Sequence, residues 1–234
     1  MCQACPEIGL SRRKLFQGGL GLLAAASLPL AAHAQSSNSS DTPDAALDKL
    51  MQGNARYVGN ELRERDFSSG RVARTQGQSP FAAILGCADS RIAPELAFDQ
   101  GPGSLFVVRI AGNFVTLDGL ASLEYGAAVL GTKVIMVLGH SNCGAVNATV
   151  AALQKGNDLP GHIGDLVREM KPGIEPTLKQ PGGDLAQRAV IANVRSNVQQ
   201  LKQSKPILAG LVTSGKLKVV GGVYDLASGK VELV

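Results

Sequence analysis

Four short apolar runs constrain what this chain can fold into more than any other feature. They are Phe81 to Gly86, Leu105 to Val108, Val134 to Leu138 and Leu217 to Val223. The first is entered from Pro80 and the second follows the turn residues Gly101-Pro102-Gly103. Continuous apolarity over so few residues suits strands buried on both faces rather than strands with one wet face. Between the runs lie helical patterns over 117–130, 145–153 and 186–201. In the last, Ala189, Val190, Val194, Val198 and Leu201 recur at helical spacing. Strands alternating with helices predict an α/β fold: a mainly parallel central sheet of about four strands plus a C-terminal edge strand, flanked by helices.

Polar segments set the limits of that domain. A helix is expected to start at Asp41 or Thr42, whose side chain can cap it ahead of Pro43, with Ala46, Leu47, Leu50, Met51 and Tyr57 on its apolar face. The charged stretch from Glu61 to Arg74 has no apolar stripe and reads as a solvated helix or loop. Pro160 to Gly183 reads as a short helix within an irregular excursion, being rich in Pro and Gly. No internal repeat or second core is evident, so residues 43–234 read as one domain.

The N-terminal residues read as a targeting segment. Ser11-Arg12-Arg13-Lys14-Leu15-Phe16 has a twin-arginine pattern, Gly18 to Ala32 is moderately apolar, and Ala32-His33-Ala34 has the small-x-small form of a cleavage site. Residues 1–34 therefore resemble a Tat-type export signal, the alternative being a buried or amphipathic helix. Residues 35–42 form a polar linker. Cleavage would remove Cys2, Cys5, Arg12, Arg13, Lys14 and Glu7, lowering the formal net charge from +4 to +2. The expected location is periplasmic or otherwise exported, with the Tat machinery as a partner. No later run approaches the ~18 apolar residues of a membrane span, so no stable membrane insertion is expected after cleavage. With aromatics at 4% and scattered Lys and Arg, nucleic-acid binding is not expected.

Two of the apolar runs close on soft metal ligands. Cys87-Ala88-Asp89-Ser90-Arg91 follows the first, and His140-Ser141-Asn142-Cys143-Gly144 follows the third. Sites assemble at the carboxyl ends of strands in open α/β sheets, where crossover loops diverge. Two thiolates and an imidazole suit tetrahedral zinc, and three protein ligands leave the fourth position open. His162 could close the tetrahedron, although no strand end fixes it. Asp89 stands beside the first ligand, and Arg91 can hold it in a bidentate pair. A plain loop salt bridge or a helix start is the simpler reading of those two. In an oxidising compartment a Cys87–Cys143 disulfide without metal is a further alternative.

These motifs resemble those of the β-class carbonic anhydrases, which carry C-x-D-x-R and H-x-x-C at about this separation. The similarity extends through Gly77-Gln-Ser-Pro80, Gly101-Pro-Gly103, Phe106-Val-Val-Arg109, Ser122-Leu-Glu-Tyr125 and Gly221-Gly-Val-Tyr-Asp225. The resemblance implies that Cys87, His140 and Cys143 hold one Zn2+ per subunit. It also implies that Asp89 and Arg91 are catalytic, with Asp89 accepting a hydrogen bond from zinc-bound hydroxide. Gln78, Phe106, Ala111, Tyr125 and the Gly144 N–H would bind CO2 or bicarbonate. In such proteins the site lies at a dimer interface, so Gln78, Phe106 and Tyr125 need not share a subunit with the metal, and a homodimer or tetramer of dimers is expected. The chain departs from many relatives at Ile110, where they have Asn. It also lacks the tryptophan of the family's allosteric bicarbonate pocket, so an open, water-bearing zinc is expected at neutral pH. Hydrolysis of carbonyl sulfide or carbon disulfide on the same site, or a non-catalytic zinc-stapled binding module, are the competing functions.

Overall fold

A computed structural model describes residues 42–156 and 159–234. The expected signal and most of the linker lie outside them. The sheet has five strands, β1 (Ala82–Gly86), β2 (Leu105–Arg109), β3 (Val134–His140), β4 (Lys218–Tyr224) and β5 (Val231–Leu233), in the order β2-β1-β3-β4-β5. The first four are parallel and β5 runs antiparallel along β4. The helices are α1 (Pro43–Val58), α2 (Arg71–Arg74), α3 (Pro94–Ala97), α4 (Leu117–Ala128), α5 (Gly144–Lys155), α6 (Ile163–Ile174), α7 (Leu185–Gln203) and α8 (Leu208–Thr213).

The apolar runs form strands because both faces of the sheet are covered. Alternate residues of β1 and β3 enter separate cores. Ile84, Met136 and Leu138 pack with Ala46 and Leu50 of α1 and with Ala97 and Phe98 at α3. Leu85, Ile135 and Val137 pack with Leu123 of α4, Val194 and Leu201 of α7 and Leu208 of α8. Every residue of β1 and β3 is buried. Burying side chains such as Ile84 and Leu85 stabilises the fold by about 1.5–3 kcal/mol each. The helix starts follow capping chemistry: the Thr42 hydroxyl accepts from Ala45 N–H ahead of Pro43, Thr116 accepts from Gly119, and Asp184 from Ala186.

Two expectations need correction. The stretch from Pro160 to Gly183 contains a full 12-residue helix, α6, followed by a 3-10 turn over Glu175–Lys179. Pro172 lies inside α6, near its end, and Met170 and Ile174, one turn apart, bury a face beside α5 and α7. The charged stretch from Glu61 to Arg74 is not wholly a solvated loop. Arg65 Nη1 and Arg56 Nε each approach the buried carboxylate of Asp99 to 2.5 Å, and Arg63 N–H donates to the same group. The ion pair ties the segment to the end of α3.

Candidate metal centre

The topology puts both ligand motifs at one edge of the sheet. β1 and β3 are parallel neighbours in register from Ala82 with Val134 to Gly86 with Leu138. Cys87 thus emerges beside the strand that ends in His140. Three residues on, Cys143 is the N-cap of α5. The Cys87 and Cys143 sulfurs stand 3.9 Å apart as free thiols, and with the His140 ring their ligand atoms all lie within 4.8 Å of one another.

This trio fits zinc. Two sulfurs, each about 2.3 Å from one tetrahedral ion, stand about 3.8 Å apart. His140 is fully buried, its Nδ1 bonds the Ser141 carbonyl at 2.9 Å, and its Nε2 has no hydrogen-bond partner. A carbonyl can only accept, so the proton sits on Nδ1 and the free Nε2 lone pair is the one available to a metal. Without a cation the two sulfurs share protons unequally. Cys87 is drawn down to about 4, chiefly as acceptor of the Cys143 thiol and against its burial, with His140 and the Gly112 N–H assisting. Cys143 is pushed up, first by that same hydrogen bond and then by burial, while N–H groups of the first turn of α5 oppose the shift. Both sulfurs would be deprotonated and satisfied if Cys87, His140 and Cys143 held a divalent cation.

Asp89 lies at the rim of this cluster, its Oδ2 3.7 Å from His140 Nε2. Arg91 donates from Nε to Oδ1 at 2.8 Å and from Nη2 to Oδ2 at 2.7 Å, and its own backbone N–H reaches Oδ1 at 2.9 Å. The Arg91 hydrogen bond, opposed by burial, holds the Asp89 carboxyl well below the usual carboxylate range. The loop salt bridge considered for these residues is therefore present, and it faces the ligand cluster.

The other site residues divide by position. Gly144 is the exposed first residue of α5, and Ala111 follows β2 at the same sheet edge. Gln78, Phe106 and Tyr125 are not brought to the cluster within one chain. Gln78 precedes β1 and lines a cleft of about 340 Å³ with Lys49, Arg74, Ser104 and Lys133. Phe106 pairs in register with Ala83, near the start of β1, and its ring centroid lies 6.4 Å from that of Tyr125. The five residues of β1, at ~3.3 Å each, separate that end from Cys87. His162, with its side chain fully exposed, pairs with Asp165 on α6 and takes no part in the cluster. Ile110 packs beside the buried group that includes Cys87 and Phe114.

Sequence reasoning missed two supports of the site. Arg109, the last residue of β2, donates to the carbonyls of Cys87 at 2.9 Å, Asp89 at 2.6 Å and Ile92 at 3.0 Å, fastening the loop that carries both a ligand and the carboxylate. An arginine closing the half-buried outer strand β2 at the ligand edge was the available signal. The second support is Gly112, whose N–H donates to Cys87 Sγ at 3.3 Å, and nothing in its sequence context marks it.

A parallel α/β sheet with a Cys2His cluster and a pinned carboxylate at its carboxyl edge defines a metal-dependent enzyme built on an open sheet. Comparison with known proteins makes this specific. The family model described as carbonic anhydrase matches residues 82–231, and the chain belongs to the β-carbonic anhydrase family. It is 40% identical over 192 residues to a carbonic anhydrase of Mycolicibacterium smegmatis, an alignment spanning 82% of this chain and 93% of the relative. It is 36% identical over 192 residues to carbonic anhydrase 2 of Mycobacterium tuberculosis, spanning 82% and 92%. Among solved structures it resembles the β-carbonic anhydrase CcaA, with TM-score 0.65 and 28% identity over 80% of this chain and 94% of that one. The Coccomyxa β-carbonic anhydrase in complex with acetazolamide gives TM-score 0.63 and 30% identity, over 71% and 77%.

Proposed function

We propose that this chain is a zinc-dependent carbonic anhydrase that interconverts CO2 and bicarbonate, with Cys87, His140 and Cys143 as the metal ligands. The observation that carries the proposal is the Asp89 carboxylate, fixed by Arg91 against a buried three-ligand cluster. When bound, zinc lowers the pKa of a coordinated water from 15.7 to about 7 and so supplies a hydroxide nucleophile near neutral pH. Asp89 stays ionised throughout that range and can only accept a hydrogen bond. At the mouth of the cluster it would accept the proton of a hydroxyl placed there and so orient that group toward CO2. Arg91 acts by holding that carboxylate away from the metal ligands. The Gly144 N–H, at the start of α5 and outside its hydrogen-bond ladder, is a donor for a substrate oxygen. Ala111 offers an apolar wall to an uncharged linear molecule.

We further propose that a second copy completes the pocket with Gln78, Phe106 and Tyr125. This reading is supported by their distance along the sheet from Cys87, by the half-buried outer strand β2, and by the exposure of Tyr125 (48%) on α4 and of Val129 (65%) at its C-cap. A homodimer or a tetramer of dimers would satisfy it. Export through the Tat route is proposed from the twin-arginine segment at Arg12 and Arg13. Folding before export would let the metal enter while the thiols are reduced.

Stopped-flow CO2 hydration by the purified zinc protein tests the activity, with carbonyl sulfide hydrolysis measured in parallel. Fast CO2 turnover that collapses in Asp89→Ala supports the proposal. Preferential turnover of carbonyl sulfide would reassign the substrate, and unchanged hydration in Asp89→Ala would remove the role given to the carboxylate. For export, replacing Arg12 and Arg13 by lysine should retain the protein in the cytoplasm. Continued delivery would refute the Tat assignment.

A further inference from the structure

Helix α7 contains two polar side chains on its buried face, Asn193 and Asn197, amid Ala189, Val190, Val194 and Leu201. Both are hydrogen-bonded, and each has one bond to the segment that follows β2. Asn193 Nδ2 donates to the Gly112 carbonyl at 2.8 Å. Asn197 Nδ2 donates back to the Asn193 carbonyl at 2.8 Å and to its side-chain oxygen at 3.2 Å, which orients the Asn193 amide. Asn197 Oδ1 accepts the Val115 N–H at 2.8 Å. A buried amide without partners costs about 1–3 kcal/mol, so a polar pair within an apolar face calls for a structural or functional reason.

The segment these asparagines hold carries a main-chain donor to a cluster thiol, the Gly112 N–H. Gly112 has φ +85, which L side chains rarely adopt, and a Cβ there would stand 2.4 Å from Met170 Sδ and 3.4 Å from the Ala145 Cβ. Its N–H donates to Cys87 Sγ. Met170 of α6 closes one side, the left-handed backbone sets the direction of the N–H, and Asn193 grips the adjoining peptide by its carbonyl. Such outer contacts orient ligands and tune the metal they hold.

We infer that Asn193 is a positioning residue for the metal centre: through the Gly112 peptide it fixes the hydrogen bond to Cys87, with Asn197 orienting its amide. A hydrogen bond to a metal-bound thiolate withdraws charge from sulfur, and loss of the bond leaves the sulfur a stronger electron donor and the ligand geometry looser. Asn54 supplies a matched control. It is also a buried asparagine with three main-chain bonds, to Ala97, Gly229 and Val231, and it lies in the opposite core, away from Cys87.

The inference rests on the metal reading above, so the first measurement is zinc content of the parent holoprotein. A parent without zinc would sink that reading and this one together. Given a zinc-loaded parent, Asn193→Ala and the isosteric Asn193→Asp should release zinc to a chelator about 10- to 100-fold faster. In the cobalt-substituted proteins, the thiolate-to-metal charge-transfer band should move to lower energy. Asn54→Ala should lower the melting temperature, with zinc release and the cobalt band left at parent values. Should Asn193→Ala not fold, the same readouts on Asn193→Asp decide. The inference is overturned if the Asn193 variants melt earlier but release zinc at the parent rate with an unmoved band. It is equally overturned if Asn54→Ala changes both metal readouts as much as they do.

Discussion

Arg91 holds Asp89 by two parallel bonds, Nε to Oδ1 at 2.8 Å and Nη2 to Oδ2 at 2.7 Å, while the same carboxylate faces His140 Nε2 across 3.7 Å. The guanidinium thus keeps the carboxylate ionised and fixed beside the candidate ligand cluster. Asp89→Asn removes the negative charge and replaces one accepting oxygen by a donating NH2 while preserving the shape, so CO2 hydration should fall about 100-fold or more with zinc content unchanged. Arg91→Ala frees the carboxylate. Its effect should be smaller, about tenfold, because Arg91 is half exposed and solvent screens its charge. Steady-state hydration with metal analysis on each variant checks both.

The sulfurs of Cys87 and Cys143 stand 3.9 Å apart, about 1.9 Å beyond the ~2.0 Å of a disulfide bond, and without a metal nothing holds them apart. Chain stripped of metal and left in air should lose both free thiols and refuse zinc until reduced. Thiol titration before and after stripping, followed by reloading with and without reductant, reads this out. Persistent free thiols in the aerated metal-free chain would contradict it.

Asp99 gives a pH dependence of stability. Burial disfavours its charge, but the Arg65 and Arg56 guanidiniums prevail and hold the carboxyl below its ordinary range. A carboxylate whose pKa falls on folding stabilises the protein above the unfolded value, near 3.9. That contribution is lost as pH drops through the lower folded value. Asn tolerates the left-handed backbone at this position, where φ is +46. Asp99→Asn should therefore cost about 3 kcal/mol at pH 7, because it leaves two guanidiniums without their counter-ion. The gap between parent and variant melting temperatures should narrow from pH 5 to pH 3. A gap constant with pH would show that the ion pair contributes no stability of its own.

Gly139 precedes the candidate ligand His140 and faces α7. A Cβ there would lie 2.6 Å from Val194 Cγ2 and 3.3 Å from Val190 Cγ1. Gly139→Ala should destabilise the fold by about 1–3 kcal/mol through overpacking, and it should weaken zinc binding by displacing the end of β3. Denaturant unfolding and chelator competition measure the two effects separately. Trimming Val194 to Ala in the same chain should restore part of both.

Much of the fold was legible because buried parallel strands leave a direct mark in sequence. Four apolar runs became four parallel strands, and the ligand motifs fell at their carboxyl ends because the chain turns there. Run length did not give the strand end, so His140, read as lying just beyond the third strand, is its last residue. Helix α6 was underestimated because Pro172 and Gly173 mask a face of Met170 and Ile174 that is visible only against α5 and α7. The roles of Asn193 and Asp99 were hidden for a related reason. A buried polar residue reads as a surface residue until its partner, here 81 positions away for Asn193, is known. Strand direction separates Gln78 from Cys87, although the sequence places them only nine positions apart.

Metal content and CO2 hydration, measured on one preparation before stripping, after stripping and after reloading with zinc, test the central claim most directly. The expected result is about one zinc per chain, activity lost in proportion to the metal removed, and activity restored by zinc under reducing conditions. A chain that hydrates CO2 equally well without metal, or that takes up zinc with Cys87, His140 and Cys143 all replaced, would contradict it.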